Sequence, residues 1–468
     1  MFIRKMDYTC VLVCPHTVLL LLAAFLMIPP CLSLGFEDIN SGSNEHKYGV
    51  EVNPSTSENS DGLVDSAGPH QQEFCYEGSS EGGCRQGGRS DGEDGPTAHR
   101  HVGGAAAGGE TGEVQWDERG YVTFCQRVGN FGNQMEVFLG MMAFAKALDR
   151  TLIIPYFNWI TFRERRVHRY VEFSELFQIS PLLQYHRVVT MDVFLKVLAP
   201  RYWPPGQRRG YLYQFMPDDT DCNKAGCWGD LDPSIEFDEC FLHKLNTFRT
   251  DIADENSILI ARQIWNSKFP VEEHPVITID KATPAFPINP GNRKIQQFVK
   301  WNEHFMSIGR SYINATFGSN TWVGLHLRNG GDWVKACTPE MLERNTFIMA
   351  SPQCHEKELG AVSQDMCLPS VTHMLELTLK VVKDVNAKHL FIGTDKHPHL
   401  EEFRKVLSPI GVSVHHLNPD TSQVDLVILG EADYFIGTCP SSFTSFVKRS
   451  RDATGKPSIF WGQEYSGF

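Results

Sequence analysis

From Tyr121 onward, short apolar runs alternate with longer stretches of helical periodicity. The run Y-V-T-F-C predicts a strand, R-V-G-N-F-G-N-Q predicts a tight glycine loop, and T-L-I-I-P predicts the following strand. Between the loop and that second strand, apolar residues recur on one face of a predicted helix, at Met135, Phe138, Met142 and Ala145. The ordered part of the chain therefore begins with a strand, a loop, a helix and a strand in succession.

A second series of apolar runs occupies the C-terminal half. Strands are predicted in T-W-V-G-L-H-L, H-L-F-I-G-T-D, V-S-V-H-H-L and Y-F-I-G-T-C, with helical patterns at Thr372 to Val385 and Ser422 to Gly430. Such alternation predicts an α/β fold with two parallel sheets covered by helices. We divide it into two domains, residues 116–275 and 276–468. The first includes Pro204 to Asn246, which is rich in Cys, Asp, Gly and Pro and which we interpret as an irregular insertion.

The N-terminal residues differ in composition from the rest. The basic start M-F-I-R-K, an apolar stretch centred on Val18 to Ile28 and the small residues behind it are typical of a secretory signal peptide. We assign residues 1–34 to it, with cleavage near Ser33 to Gly35. The alternative is an uncleaved signal anchor that begins nearer Tyr8 and makes a type II membrane protein.

Residues 35–115 are rich in Gly, Ser, Asp and Glu and lack apolar periodicity, which predicts a disordered, acidic stalk. The net charge of -13 and the absence of a long Lys/Arg block argue against a nucleic acid as partner. The 13 cysteines, three of them in the leader, suit an oxidising lumen. The sequence Asn314-Ala315-Thr316 is a glycosylation sequon, or else an unmodified loop.

Three loops that follow predicted strands are candidates for a ligand site, because ligands of open parallel sheets bind beyond the carboxyl ends of the strands. G-N-F-G-N-Q leads into a helix, H-L-R-N-G-G-D-W places Arg328 at a strand end, and G-T-C-P-S-S-F-T-S-F places Ser441 and Ser442 at the start of the last helix. A fixed guanidinium and two helix starts suit a pyrophosphate. A nucleotide-sugar transferase needs such a site, since charge builds on its leaving group.

Each loop also has a structural interpretation: a tight turn, an ion pair of Arg328 with Asp332, and an N-cap serine. His326, at the same strand end as Arg328, could contact a nucleotide or simply be packed. Two Asp-x-Asp pairs could hold Mn²⁺ or Mg²⁺, but they lie in the Cys-rich region, and we expect no metal site. These pairs are Asp219 with Asp221 and Asp230 with Asp232.

A dense series of motifs then runs from about Gly120 to Phe460. It includes F-G-N-Q, A-F-A-K, L-A-P-x-x-W-P-P, E-H-P-V, H-L-R followed by D-W, M-A-S-P-Q-C, M-C-L-P, Q-V-D-L-x-I-L-G and S-S-F-T-x-F-V-K-R. In these motifs the chain resembles the luminal protein O-fucosyltransferases that use GDP-fucose to modify EGF-like repeats.

The resemblance implies a GT-B-like fold, in which two Rossmann-like domains face a cleft and residues 276–468 bind the nucleotide. It implies an enzyme that transfers fucose with inversion to Ser or Thr of an EGF-like repeat, using GDP-fucose as donor and no metal or other cofactor. The catalytic residues would be Arg328, on the pyrophosphate, and Asn133, in the cleft. Asp425 would bind the guanosine. The remaining contacts to donor and acceptor would come from Asn130, Phe131, Gly132, His326, Leu327, Ser442 and Phe443.

Further properties follow from the same resemblance. The family's disulfides map onto Cys337 with Cys367 and onto Cys354 with Cys439. The family implies the lumen of the endoplasmic reticulum and EGF-repeat partners such as Notch-type receptors, with membrane contact only if the leader is uncleaved. It leaves the catalytic base open.

The chain departs from the family pattern in three places. Asn130 stands where the family usually has Arg, so a positive contact is missing or comes from elsewhere, for example from Arg127. The family's Cys-x-Cys is reduced to Cys125, which loses its local partner. The C-terminal E-Y-S-G-F is unlike a K-D-E-L signal.

Two alternative functions stay open at this point. The first is a chaperone for EGF-repeat proteins that does not transfer a sugar, an alternative that depends on Asn130. The second is a metal-dependent transferase of another sugar, which depends on Asp219 and Asp221.

Overall fold

A computed structural model of the chain describes residues 114–126, 129–161, 167–214, 235–244, 255–280, 288–344, 353–354, 362–419 and 422–467. The predicted leader and nearly all of the stalk lie outside these residues. Arg127 and the four aspartates of the Asp-x-Asp pairs lie outside them as well. The predictions made for those segments stay predictions.

The first sheet has six strands in the order β5-β2-β1-β8-β6-β7, and every neighbouring pair is parallel. The glycine loop leaves this sheet after β1, as the sequence predicts. A separate antiparallel pair, β3 with β4, follows β2. The strands are β1 Tyr121–Phe124, β2 Thr151–Ile154, β3 Phe157–Thr161, β4 Val167–Val171, β5 Val188–Thr190, β6 Arg209–Gln214, β7 Glu239–Lys244 and β8 Val276–Asp280.

The second sheet has five parallel strands in the order β11-β10-β9-β12-β13. Four of them are the predicted C-terminal strands, and the fifth follows the last helix. The strand β9 is central and fully buried, with β10 on one side and β12 on the other. The strands are β9 Trp322–Leu327, β10 His389–Thr394, β11 Ser413–His415, β12 Tyr434–Gly437 and β13 Ser458–Phe460.

Helices connect the strands and cover both sheets. The predicted helix after the glycine loop is α1, which begins at Phe131, four residues earlier than the apolar periodicity indicates. The α-helices are α1 Phe131–Leu148, α2 Phe173–Leu176, α3 Ser180–Leu183, α4 Met191–Val193, α5 Ala199–Tyr202, α6 Glu255–Lys268, α7 Glu303–Thr316, α8 Gly331–Ala336, α9 Pro339–Arg344, α10 Gln364–Cys367, α11 Val371–Asp384, α12 Leu400–Leu407, α13 Ser422–Glu431 and α14 Ser442–Asp452. A π-helix spans Phe194–Leu198, and 3-10 helices span Pro290–Phe298 and Ser408–Ile410.

The interpretation of Pro204 to Asn246 as irregular is wrong at both of its ends. The strands β6 and β7 lie there and pair with each other in the first sheet. Their short runs, R-G-Y-L-Y-Q and E-C-F-L-H-K, mix polar with apolar residues, so periodicity alone does not separate them from a loop. The strand β8 pairs with β1 and β6, so the first sheet extends past the predicted domain boundary at residue 275.

One hydrophobic cluster includes residues from both sheets and from the helices between them. Aromatic rings are prominent where α1 approaches α14: the ring of Phe131 lies 5.6 Å from Phe446 and 6.0 Å from Trp301, between ring centroids. Aromatic packing of this kind stabilises beyond the area that it buries. The two predicted units therefore share a continuous core near the start of α1.

The predicted disulfides Cys337–Cys367 and Cys354–Cys439 are confirmed, with Cα atoms 5.7 and 5.4 Å apart. Cys125 is disulfide-bonded as well, so the loss of the family's neighbouring cysteine does not leave it reduced. Among the described residues, no helix combines the length and apolar character needed to cross a membrane.

Candidate functional site

The starts of α1 and α14 meet between the two sheets. The hydroxyl of Ser442 donates a hydrogen bond to Asn133 Oδ1, at 2.5 Å. Gly132 allows this approach, because a Cβ at that position would lie 2.6 Å from Ser442 Oγ and 2.8 Å from the backbone nitrogen of Phe443. Two predicted loops are thus brought together, and the unpaired N–H groups of two helix starts lie close to one another.

The glycine loop before α1 is held by Gln134, a buried residue that sequence reasoning missed. Its side-chain amide donates to the backbone oxygens of Asn158, at 2.9 Å, and Gly129, at 3.2 Å. Its Oε1 accepts from the backbone nitrogen of Asn158, at 2.9 Å. Gly129 has a φ of 62°, in the left-handed region that favours glycine, and it faces Asn133 Nδ2. Asn130 follows it as an exposed N-cap whose side chain makes no capping bond.

Arg328 lies just beyond β9 and is paired with two carboxylates. Its Nη2 is 2.6 Å from Asp332 Oδ2, and its Nη1 contacts Asp395. The ion pair with Asp332, which the sequence left as a structural alternative, is therefore present. Partial burial acts to raise the pKa of Asp332, but the hydrogen bond and charge of Arg328 outweigh it and hold the pKa below its usual value.

Asp395 was not predicted as a site residue, although it is the last residue of the predicted strand segment H-L-F-I-G-T-D. Its two oxygens accept hydrogen bonds from the backbone nitrogens of Asn329, at 2.9 Å, and Gly330, at 3.1 Å. From the other side, Thr438 Oγ1 accepts from the backbone nitrogen of Arg328, at 3.2 Å. The carboxyl ends of β9, β10 and β12 thus jointly fix the loop that carries the guanidinium.

His326 is buried at the end of β9 and faces α14. Its Nδ1 is 2.6 Å from Thr444 Oγ1, and its ring stacks on Phe443 with 4.7 Å between centroids. Burial, aided by the charge of Arg328, lowers the pKa of His326 to about 3, so the imidazole is neutral at physiological pH. Leu327 packs into the core of the second sheet, so its backbone is the part that could reach a ligand.

Asp425 lies in the first turn of α13 and is 4% exposed. Its Oδ1 has no hydrogen-bond partner among the described residues, and burial raises the pKa of this carboxyl to about 8. Across from it, a Cβ on Gly393 would lie 3.4 Å from Asp425 Oδ2. A buried acceptor without a donor carries a large desolvation cost, so the position suits a ligand that supplies N–H groups.

Three of the predicted positions lie at the start of α14. Ser441 is the N-cap residue of α14, but its side chain makes no capping bond, so capping is not what places a serine there. Ser442 and Phe443 are half-buried at the same helix start. In the part of the chain that the structure describes, no group of three or more His, Cys, Asp or Glu side chains is placed to hold a metal ion.

The arrangement combines a fixed guanidinium, two helix starts, a neutral histidine and an unpartnered buried carboxyl. The first three elements suit a phosphate-containing group. The carboxyl suits a heterocycle with adjacent N–H donors.

Comparisons with known proteins agree on one family. Residues 121–454 match the family model described as GDP-fucose protein O-fucosyltransferase. The chain is 35% identical over 365 residues to GDP-fucose protein O-fucosyltransferase 1 of Caenorhabditis elegans, a match that covers 74% of this chain and 91% of the relative. A crystal structure of POFUT1 in complex with GDP-fucose is similar with a TM-score of 0.68, 33% identity and coverage of 75% of this chain and 100% of that one. A complex of POFUT1 with GDP gives a TM-score of 0.65 and 34% identity over 75% and 100% of the two chains.

Proposed function

Because the chain belongs to the GDP-fucose protein O-fucosyltransferase family, and is therefore a glycosyltransferase with a GT-B-like fold, we propose that it moves fucose from GDP-fucose to Ser or Thr of a folded EGF-like repeat. The observation that carries the donor assignment is the unpartnered carboxyl of Asp425 at the same sheet edge as Arg328. Guanine presents two adjacent N–H donors, which one carboxylate can accept together.

Arg328 binds the pyrophosphate in this proposal. A guanidinium has five N–H donors, and the contacts to Asp332 and Asp395 engage one terminal nitrogen each. Donors therefore remain for phosphate oxygens while the two carboxylates hold the plane of the group. The start of α14, with Ser442 and Phe443, supplies backbone N–H groups to the same phosphates.

The reaction is a direct displacement with inversion at the anomeric carbon of fucose. The acceptor oxygen forms the new bond as the bond to the β-phosphate oxygen breaks, and the electron pair leaves with GDP. Arg328 stabilises the charge that develops on that leaving group, which is why it is assigned a catalytic role. Asn133, whose Oδ1 is occupied by Ser442, keeps its Nδ2 for substrate. The O–H bond of the acceptor hydroxyl breaks in the same step, and its proton is released to solvent.

The metal requirement, the location and the partners of the protein are inferred from the chemistry of the site and from the family. We infer that no metal is required, because a guanidinium and two helix starts supply positive charge where a cation would otherwise stand. Formed disulfides support an oxidising compartment, and the family suggests that this is the lumen of the endoplasmic reticulum. EGF-repeat proteins such as Notch-type receptors are the proposed partners.

One observation favours a second candidate, a chaperone without transferase activity. Asn130 is exposed at the glycine loop, at the position where the family usually carries Arg. The donor site would then lack one cation. A third candidate, the metal-dependent transferase of another sugar, depends on Asp219 and Asp221, which lie outside the described residues.

The test incubates the purified protein with GDP-fucose and a folded EGF-like repeat in EDTA and follows the mass of the repeat. We expect the mass of one fucose to be added, and none on the same repeat after reduction of its disulfides. No transfer together with no binding of GDP in calorimetry would favour the chaperone, which has no need of a guanine nucleotide site. Activity lost in EDTA and restored by Mn²⁺ would favour the metal-dependent enzyme.

A further inference from the structure

A buried ion pair joins the two helices whose starts form the site. Glu136 of α1 and Arg449 of α14 are 2.5 Å apart, between Oε1 and Nη1, and their side chains are 1% and 4% exposed. The residues are separated by 313 positions in sequence, so the contact is made only when the two halves of the chain come together. Charged side chains are seldom this buried unless they are paired.

Both members of the pair also contact the segment that connects the two sheets. The second oxygen of Glu136 accepts from the backbone nitrogen of Ile288, at 2.9 Å. Arg449 Nε donates to Gln296 Oε1, at 3.3 Å, and Gln296 Nε2 donates to Ser450 Oγ, at 3.2 Å. The pair is therefore the centre of a junction of three elements: α1, α14 and the connecting 3-10 helix.

The spacing relates this junction to the site. Glu136 is three residues after Asn133, about one turn and roughly 4.5 Å along α1. Arg449 is seven residues after Ser442, about two turns along α14. Residues at these spacings lie on the same face of a helix. The two helices therefore contact each other at two points: the bond between Asn133 and Ser442, and the pair between Glu136 and Arg449. Two contacts fix the relative rotation of the helices, which one contact would not do.

Stability alone is a weak reason for such a pair, because well-packed apolar residues of similar volume are often as stabilising as a buried ion pair or more so. What an ion pair adds is direction, since its hydrogen-bond geometry permits few arrangements. We propose that Glu136 and Arg449 are positioning residues, whose ion pair holds the start of α1 against the start of α14 and keeps Asn133 in register with the donor site. The role rests on the proposed transferase function.

The decisive variant replaces the pair by apolar residues, Glu136→Leu with Arg449→Met. This removes both charges together, so neither is left buried without the other, although the backbone nitrogen of Ile288 and Gln296 Oε1 each lose a hydrogen bond. We expect the thermal unfolding midpoint to fall by several degrees at most, because apolar packing offsets part of the cost of the two lost hydrogen bonds. The kcat per folded molecule should fall about 10- to 100-fold, the loss expected when reacting groups are misplaced by about 1 Å. The KM for GDP-fucose and the Kd for GDP should change less than about threefold, because Arg328, just beyond β9, and Asp425, in α13, are untouched.

Two single variants support the measurement if the double variant folds poorly. Glu136→Gln keeps the shape of the side chain, and Arg449→Lys keeps its charge, and both should lower kcat with KM preserved when rates are corrected for the folded fraction. The matched control is Arg451→Met. Arg451 is a fully buried arginine on the same helix, but it bonds the backbone oxygens of residues such as Ala432 and Pro457, which lie just before β12 and β13. That variant should lose stability and keep kcat per folded molecule.

The outcomes separate the inference from its premise. If the wild-type protein transfers no fucose, the proposed function fails, and the pair is then judged by whether amide exchange at the start of α1 accelerates in the double variant and not in Arg451→Met. If the wild type is active and the apolar double variant keeps its kcat, the pair is only structural and the inference is overturned. An equal loss of kcat in Arg451→Met would overturn it too.

Discussion

Replacing Arg328 by Ala tests the proposed chemistry most directly. The change removes the guanidinium and leaves Asp332 and Asp395 without their shared partner beside the phosphate site. Two unit charges about 4 Å apart interact by about 4 kcal/mol at an effective dielectric constant of about 20. Because the Arg328 side chain is 20% exposed, solvent screening reduces this figure, and we take about 2–3 kcal/mol. That corresponds to a loss of roughly 30- to 160-fold in kcat/KM.

Part of this loss comes from the carboxylates that Arg328→Ala uncovers. The side chain of Asp332 is 72% exposed, so its repulsion of a phosphate is close to the value in water, about 1 kcal/mol. The double variant with Asp332→Asn should therefore recover roughly fivefold in kcat/KM relative to Arg328→Ala. Arg328→Lys keeps the charge but loses the planar fork, and we expect it to fall between Arg328→Ala and wild type.

The assay measures initial rates of fucose transfer to a folded EGF-like repeat, at several GDP-fucose concentrations, by mass spectrometry of the repeat. Thermal unfolding of each variant checks that it is folded, and calorimetry with GDP measures ground-state affinity separately. A folded Arg328→Ala protein that keeps more than about a third of the wild-type kcat/KM would show that the leaving group is stabilised by other residues.

Three further predictions concern single positions. Gly132→Ala should lower kcat at least about tenfold, because the new Cβ forces the two helix starts apart. The control for helix propensity is Gly430→Ala, which should leave kcat unchanged because nothing lies within 4 Å of a Cβ there. Affinity for GDP should rise with pH up to about 8, by as much as roughly tenfold per pH unit, because guanine binds the ionised form of Asp425 and burial raises the pKa of this carboxyl to about 8. Calorimetry in buffers of different ionisation enthalpy should show proton release on binding, and Asp425→Asn should abolish both effects. Asn130→Arg should tighten GDP binding by about fivefold, with a smaller effect at high salt, if the missing cation matters; an unchanged Kd would mean that this position does not contact phosphate.

Much of the fold could be predicted because the relevant signals are local. Buried parallel strands such as β9 are nearly continuous apolar runs, interrupted there by His326, and a glycine loop between a strand and a helix marks the first ligand-facing turn. The strands β6 and β7 were missed for the opposite reason. Their residues alternate too weakly, and the pairings of β6 with β7 and β8 are long-range contacts that no window of sequence contains.

The site residues also fall into those that local sequence signals identify and those that only long-range contacts identify. Arg328, Asn133 and Ser442 could be found because each stands beside a recognisable strand end or helix start. Asp395 could not be assigned to Arg328 from the sequence, since the two are brought together only by the parallel register of β9 and β10. The contact between Glu136 and Arg449 is longer still in sequence. A glutamate within an apolar helix pattern looks like an exposed residue until α14 and the segment around Ile288 cover it.

The ion pairs of Arg328 with Asp332 and Asp395 affect the affinity for GDP-fucose and the stabilisation of the transition state differently. Two carboxylates beside one guanidinium lower the net attraction for the pyrophosphate of bound GDP-fucose, and they hold the guanidinium in one orientation before the donor arrives. When the glycosidic bond breaks, a further negative charge develops on the leaving GDP. A fixed donor responds to that added charge without reorganising, so its contribution is larger in the transition state than in the ground state. On this argument the carboxylates raise KM for GDP-fucose while favouring kcat, because only interactions that strengthen during the reaction accelerate it.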